Sequence, residues 1–355
     1  MAHRAPIRIR LPARRRGKAA PRWTRLSDEE LLDLRFCDLR LRIEGTAVAH
    51  QIKRLYTELD AAGLKVRPHC WLAEEWFSPD GVPGIAIPFY LSHPRLRQLE
   101  RRMMYEVEGG NSNWMMRILR HEAGHAVDSA FRLRRRRRWR EVFGPASLPY
   151  PDSYRPRPGS RRYVQHLGSW YAQSHPTEDF AETFAVWLRP RSAWRRSYQG
   201  WRALEKLHYV DGLMQELAHR TPPVRNRDLI DPLSAEKRTL RQHYRNKLAR
   251  HAGSRRSLAE TMVERAFRAE PESRGAIRAS ALVRAVAPAF RPKIALRLDT
   301  SEYLIHQVLR LVIQRSAQLE LYVQGPVRAA RRRIEALLIR IARLHLDGTA
   351  GRHVL

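Results

Sequence analysis

The chain has 355 residues, and its 67 Lys and Arg residues against 36 Asp and Glu residues give a formal net charge of +31. An apolar fraction of 43% suffices for one large core or two smaller ones, but no apolar run could span a membrane and the first residues lack the apolar segment of a signal peptide. Because the only cysteines are Cys37 and Cys70, a disulfide framework and a cysteine-based zinc site are excluded, and we expect a cytoplasmic protein without membrane contact.

The sequence begins with a basic arm and continues in two helical segments. Residues 1–25 are rich in arginine and predict a disordered arm. Ser27 and Glu30 have the spacing of a capping box, and the leucines that follow predict a helix from there through Leu41. A second helical pattern covers residues 47–62.

Two segments with the composition of β-strands follow, at residues 65–76 and 84–91. Ser78 to Gly81 between them are turn-forming residues, so we expect a small β-ribbon or sheet. Pro88 lacks a backbone N–H, and it therefore indicates that the second segment is an edge strand.

The run H-E-A-G-H at residues 121–125 has the pattern of a metal site on a helix. A helix is predicted because polar residues at 111–113 can cap it and apolar residues recur at three- and four-residue steps on both sides of the run. His121 and His125 then lie one above the other, while Glu122 projects beside them, where a general base is needed. The alternative is a helix whose two histidines are only solvated or hydrogen-bonded.

A second helix supplies the candidate for a third ligand. Residues 145–162 predict a long loop, after which Pro176 suits a first helical turn. Glu178 and Glu182 share one face of this helix, away from an apolar stripe. Zinc in hydrolytic sites takes three protein ligands, and two histidines with one glutamate form a known set. Glu178 is therefore the candidate ligand, and Glu182 can accept the other N–H of a ligand histidine.

The two motifs together resemble the gluzincin metallopeptidases, in which an acidic residue follows the ligand glutamate by four positions. The resemblance extends to the catalytic domain of anthrax lethal factor, which has a tyrosine seven residues before that glutamate, as Tyr171 stands before Glu178 here. Arg120 to His125 and Trp170 to Leu188 are similar to a bacterial family described as putative zinc-binding metallopeptidases. These resemblances imply a zincin-like fold, one Zn²⁺ per chain, peptide-bond hydrolysis and a tyrosine that assists the transition state.

Two positions depart from the longer H-E-x-x-H-x-x-G-x-x-H pattern. Phe131 stands where that pattern has a third histidine and Asp128 replaces its glycine, which excludes a metzincin. Asp128 is a candidate outer hydrogen-bond partner of a ligand histidine. The alternative is a carboxylate on the helix surface that faces the arginines at 132 and 134–138.

The expected enzyme is a zinc-dependent endopeptidase. Glu122 takes a proton from the water that the metal activates, and Tyr171 stabilises the oxyanion. Three other residues could take the role of Tyr171: Tyr163, His166 and His175. Candidates for substrate contact are Tyr163 and His175 and, if an extended peptide pairs with the edge strand, Ile85 and Ile87. The alternative is that this strand only packs on the metal helix.

The rest of the chain reads as helical. One helix is predicted at 201–218, a break at 221–223, and only helices from Ser234 onward, with starts near Ser301 and after Pro326. The sequence thus predicts an α+β protein with a zincin-like metallopeptidase core and a small β-ribbon or sheet, followed by a mostly α-helical C-terminal domain. The expected divisions are a disordered arm at 1–25, a catalytic domain at 26–225 and a helical region at 226–355.

The positive charge gives a second functional hypothesis. Arginine clusters predict the binding of nucleic acid or an acidic partner; they lie at Arg14 to Arg16, Arg134 to Arg138, Arg241 to Arg256 and Arg331 to Arg333. The alternative is a compositional bias that fills solvated helix faces with arginine. The second hypothesis is therefore that the chain is an arginine-rich nucleic-acid-binding protein with a structural or idle zinc site. A protease that acts on nucleic-acid-bound proteins would combine the two functions.

Overall fold

Helices make up most of the described structure. The computed structural model describes residues 21–104, 107–151, 153–154, 157, 159–168, 170–251, 256–271, 276–348 and 353–354. The helices are accompanied by a small parallel two-stranded sheet, which is consistent with the α+β class. No helix within these ranges is both long and apolar enough to cross a membrane.

The elements have the following bounds in chain order. The helices of the first part are α1 (Asp28–Leu32), α2 (Ala47–Ala61), α3 (Pro94–Met104), α4 (Ser112–Phe131), α5 (Arg137–Phe143), α6 (Pro176–Leu188), α7 (Trp194–Ser197), α8 (Ala203–Leu217) and α9 (Leu240–His251). The later helices are α10 (Arg256–Ala266), α11 (Ala279–Leu298), α12 (Glu302–Gln318) and α13 (Val327–Gly348). The strands are β1 (His69–Ala73), β2 (Gly84–Pro88), β3 (Ser153–Tyr154) and β4 (His353–Val354).

The capping box predicted at Ser27 is present, since the Ser27 hydroxyl accepts the Glu30 N–H and the Glu30 carboxylate accepts the Ser27 N–H at 2.8 Å. The prediction that this helix runs through Leu41 is wrong, because α1 ends at Leu32. Phe36 donates its N–H to the Arg238 carbonyl instead of to a helical neighbour. Contact with a distant segment therefore replaces the helix that the local pattern predicts.

The predicted basic arm lies mostly outside the described residues, which begin at 21. Its last part, Arg22–Arg25, forms a short 3-10 turn. Trp23 in this turn is buried and donates its indole N–H to the Leu39 carbonyl at 3.1 Å. This part of the expected arm is thus packed on the main core.

The two predicted strands are present, but they pair in parallel, with His69 opposite Gly84 and Ala73 opposite Pro88. A ribbon folded over one turn would pair antiparallel. Here the connecting residues run back along β2, where the Phe77 carbonyl accepts the Ala86 N–H at 2.8 Å. The length of that connection, and not the turn residues in it, decides the direction of pairing.

The main core is built around α4, which contacts α2, α6 and β2, and α3, α5 and α8 contribute further buried residues to the same cluster. Gly124 of α4 faces α6 so closely that a Cβ at this position would lie 2.8 Å from Ala181 Cα. Because glycine has no Cβ, the two helices meet through their backbones. On another side of α4, Arg120 makes two hydrogen bonds of 2.7 and 2.8 Å to the buried Glu58 of α2.

A second core joins helices α10 to α13. Ser301 caps α12 by accepting the Leu304 N–H, as its sequence position predicts. Two later residues, Leu240 and Tyr244 of α9, belong to the main core, as does Tyr303 of α12. The expected domain boundary between residues 225 and 226 stays a prediction. These three residues come after that boundary in sequence, but they pack in the core formed by residues before it.

Candidate metal centre

The first two candidate ligands are fixed by the helix α4. Asn111 caps it, its side-chain oxygen accepting the Trp114 N–H at 2.9 Å. Two turns later, His121 and His125 are both buried, and their Nε2 atoms are 3.2 Å apart. The four-residue spacing on a helix thus turns both imidazoles toward one point.

The third candidate comes from α6, in its first turn. His175 caps α6, and Pro176 occupies the first turn, where a missing N–H costs nothing. Glu178 Oε2 lies 3.0 Å from His121 Nε2 and 3.1 Å from His125 Nε2. One carboxylate oxygen therefore faces both imidazole nitrogens.

The donor atoms of His121, His125 and Glu178 fit a zinc ion. They lie within 4.8 Å of one another, and all three residues are buried. Two imidazole nitrogens and one carboxylate oxygen are ligands that zinc prefers, and three such ligands leave a fourth position for water or substrate. Beside them, Glu122 Oε2 is buried without a hydrogen-bond partner among the described residues, which is unusual unless another group satisfies it.

Glu182 orients the first histidine. Its Oε1 lies 2.9 Å from His121 Nδ1, and its Oε2 accepts the Leu167 N–H at 2.8 Å. With the Nδ1 proton held by Glu182, His121 Nε2 is the nitrogen that remains for a metal. Burial by itself lowers the pKa of His121, but the hydrogen bonds and charges of Glu178 and Glu182 outweigh burial and raise that pKa.

Glu122 is 7% exposed, and burial raises the pKa of its carboxyl against the opposing effect of the two histidines. A carboxylate in such surroundings takes up a proton more readily than one in water. The position next to the ligands and the raised pKa both suit a residue that accepts a proton.

Tyr171 lies next to the cluster, with its ring centre 5.5 Å from that of His121. Burial, followed by the charges of Glu178 and Glu122, raises the pKa of Tyr171, so the hydroxyl keeps its proton. The preceding residue, Trp170, has φ 52° and ψ 43°. This left-handed conformation is costly for a bulky residue and is found where the surroundings enforce it, frequently at functional sites.

The segment that carries this cluster is similar to a known family. Residues 96–208 match the family described as putative zinc-binding metallo-peptidase. The match runs from α3 into α8 and contains His121, His125 and Glu178, but not the β1–β2 sheet or helices α9 to α13. A peptidase family implies a peptide or protein substrate. No curated protein and no solved structure matches the chain, so the resemblance to lethal factor stays a prediction.

Other candidates within the metallo-peptidase segment have partners away from the three ligand atoms. Both Asp128 oxygens are bound by Arg134, through its backbone N–H at 2.8 Å and its Nε at 2.6 Å. The pairing with an arginine agrees with the alternative interpretation, but Asp128 is fully buried and does not lie on the helix surface. His166 Nε2 lies 2.9 Å from the Arg117 carbonyl. Tyr163 packs on Lys206, whose Nζ is 4.3 Å from the ring centre. None of these three is hydrogen-bonded to a ligand histidine in the described structure.

The candidate strand residues lie outside the matched segment. The side chains of Ile85 and Ile87 are fully buried in the main core, whereas Ala86 packs with Trp71 on the other face of the sheet. A peptide could therefore contact these isoleucines only through their backbone. On the edge of β2, Phe77 already takes the Ala86 N–H.

One residue of the cluster was missed in the sequence. Tyr150, in the loop between α5 and α6, donates its hydroxyl to Glu178 Oε1 at 2.7 Å. No helical or strand periodicity marks a loop residue, and the only available signal was the aromatic and proline-rich composition of residues 145–162. Tyr150 also lies against His175, their ring centres 4.0 Å apart.

Proposed function

We propose that this chain is a zinc-dependent endopeptidase with a zincin-like core. The observation that carries the proposal is the convergence of the His121, His125 and Glu178 donor atoms. Glu122 lies beside them, and its Oε2 is buried with no hydrogen-bond partner among the described residues. The match of this segment to a metallo-peptidase family supports it. His121, His125 and Glu178 would hold one zinc ion per chain, and Glu182 would keep His121 in the required tautomer.

When bound, zinc supplies a Lewis acid that polarises a carbonyl and lowers the pKa of water toward about 7. Glu122 accepts the proton of the attacking water and later passes it to the leaving amine, and its raised pKa favours that proton uptake. The protonated hydroxyl of Tyr171 donates a hydrogen bond to the oxygen that gains negative charge. Preorganised donors of this kind stabilise a transition state because they need no reorganisation during the reaction.

The nucleic-acid alternative has less support at this site. Four of the five arginines from Arg134 to Arg138 pair with carboxylates: Arg134 with Asp128 and Asp80, Arg136 with Glu216, and Arg137 and Arg138 with Glu141. A paired guanidinium is less available to a phosphate. Arg134, whose partner Asp128 is fully buried, therefore has a local role in the fold.

The decisive variant is Glu122→Gln, because it removes the proton acceptor and none of the three ligands. The wild type should contain close to one zinc per chain and cleave a peptide library, and Glu122→Gln should keep the zinc but hydrolyse peptides roughly 10²- to 10⁴-fold more slowly. Metal analysis and a fluorogenic digest measure the two properties. Glu141→Gln, on the surface of α5, is the matched control and should behave as the wild type. A wild type that binds no zinc would refute the proposal.

A further inference from the structure

The two oxygens of the Glu178 carboxylate have separate partners. Oε2 faces the Nε2 atoms of His121 and His125 at 3.0 and 3.1 Å. Oε1 accepts the hydroxyl of Tyr150 at 2.7 Å. The Thr177 hydroxyl also contacts the Tyr150 oxygen. Since a carboxylate oxygen can only accept, the single proton of the Tyr150 hydroxyl is donated to Glu178 Oε1.

His175 holds the loop that carries Tyr150. Its Nδ1 accepts the Thr177 N–H at 3.2 Å and the Thr177 hydroxyl at 2.6 Å, so its proton lies on Nε2, which donates to the Leu148 carbonyl at 3.0 Å. The His175 ring also stacks on the Tyr150 ring with 19° between their planes. Leu148 and Tyr150 are both about half exposed, yet both are attached to the first turn of α6.

We propose that Tyr150 is a positioning residue for Glu178, and that its hydroxyl occupies Oε1 so that Oε2 alone is presented to the metal. This inference rests on the proposed function, because it assigns a role within the same zinc site. The terminal torsion of a glutamate is soft, so a carboxylate without a second partner can turn its other oxygen toward the metal. Hydrogen bonds to ligating carboxylates restrict this rotation and strengthen metal binding.

A role limited to anchoring the loop gives different results from a role in positioning Glu178. A loop anchor affects the folding of residues 145–151 and the access of substrate, but leaves the affinity of the ligands for a metal unchanged. A positioning residue alters the affinity and the coordination geometry, even without substrate. Zinc affinity and the absorption spectrum of the cobalt-substituted protein therefore distinguish the two roles.

The variant Tyr150→Phe tests the inference in the full-length protein. Competition with a chromogenic chelator should give a zinc dissociation constant about 10- to 100-fold weaker than that of the wild type. The visible bands of the Co²⁺-substituted variant should change as Glu178 changes from one bound oxygen to two. The matched control is Tyr56→Phe, which removes a hydroxyl bound to the Pro68 carbonyl away from the site and should change neither property.

A second variant guards against an effect of folding. His175→Asn keeps a residue that can cap α6 but removes the stacking on Tyr150 and the bond to Leu148, so zinc affinity should fall in the same direction. Wild-type affinity and an unchanged cobalt spectrum in Tyr150→Phe would overturn the inference while leaving the zinc site intact. Failure of the wild type itself to bind zinc would instead refute the proposed function.

Discussion

Glu178 and Glu182 lie one turn apart on α6 and are both buried, yet their carboxylates have different partners. Glu178 faces two imidazole nitrogens, while Glu182 is bound to the opposite nitrogen of His121 and to the Leu167 N–H. The burial of two such groups is tolerable because each is hydrogen-bonded and paired. Their different partners predict different consequences of losing each one.

Glu178→Ala should release the zinc on dialysis, because one of three ligands is lost. Glu182→Ala should weaken binding by only about 10- to 100-fold, because His121 keeps its ligand atom and loses only its orientation. Metal analysis and chelator competition measure both effects, with the exposed Glu205→Ala as a control. Equal losses in the first two variants would contradict the assignment.

His166 gives a prediction for the pH dependence of stability. Burial lowers its pKa from 6.5 to about 4. Below pH 6.5 the unfolded chain therefore binds a proton that the folded protein does not, so stability falls as the pH drops from 6.5 toward 4, by about 3 kcal/mol in all. Urea unfolding at several pH values should show that the free energy of unfolding decreases less on acidification in His166→Gln than in the wild type. His50→Gln, at an exposed histidine, should keep the wild-type loss, and a wild-type loss in His166→Gln would show the interpretation to be wrong.

The sequence could predict the residues that helical spacing brings together. His121 with His125, and Glu178 with Glu182, are each four positions apart, so a helix determines their relative places. Tyr150 could not be found this way, because its place depends on a loop whose path is set by His175 in another element. The role of Asp128 was left open for a related reason: the rotamer of Arg134, which decides it, has no sequence signature.

At the scale of elements, the contact between α4 and α6 depends on Gly124. A methyl group there would lie 2.8 Å from Ala181 Cα and 3.2 Å from its carbonyl oxygen, so the backbone of one helix would have to move. The residues on either side of this contact include every candidate ligand. Separation of the helices would therefore affect the metal site directly.

Gly124→Ala should lower the free energy of unfolding by about 1–3 kcal/mol, despite the higher helix propensity of alanine, and should also weaken zinc binding. Gly212→Ala in α8 is the matched control, since nothing lies within 4 Å of a Cβ there. That variant should stabilise the protein by about 0.5–1 kcal/mol. Urea unfolding and chelator competition report the two effects, and stabilisation by Gly124→Ala would contradict the close approach seen here.

The sequence predicts features of the helices and strands correctly where neighbouring residues determine them, and not where contacts with distant residues do. The caps at Ser27, Asn111 and Ser301 are read from a few neighbouring residues, and all three are formed. The early end of α1 depends instead on a carbonyl some two hundred positions away. The parallel pairing of β1 with β2 likewise depends on the path of the residues between them, which turn propensities do not describe.

At the scale of the whole molecule, two hydrophobic cores divide the described structure, and the candidate ligands all belong to the part built around the main core. All nine tryptophans lie at or before Trp201, outside the bundle of α10 to α13. Tryptophan fluorescence therefore follows the unfolding of the part built around the main core, whereas far-UV circular dichroism follows both parts.

Zinc should raise the thermal midpoint seen by fluorescence, because a ligand that binds only the folded state stabilises it, by about 2.7 kcal/mol at a free concentration 100 times its dissociation constant. An unfolding transition that is seen only by circular dichroism would come from the bundle of α10 to α13, and zinc should leave its midpoint unchanged. Chelator should reverse the first shift only. Identical shifts of all signals would show that contacts such as that of Tyr303 couple the two cores into one cooperative unit.

The charges that α6 contributes to the site also limit which ions it can accept. Glu178 and Glu182 are buried and carry one negative charge each, whereas histidines that bind a metal are neutral. A divalent cation would cancel these two charges, whereas a monovalent ion would leave a net negative charge in a region of low dielectric, which costs several kcal/mol. The two carboxylates of α6 would therefore favour a divalent ion over a monovalent one. With Glu122 ionised, one negative charge would remain, and the proton transfer proposed for Glu122 would move that charge from its carboxylate to the attacking oxygen without changing the total.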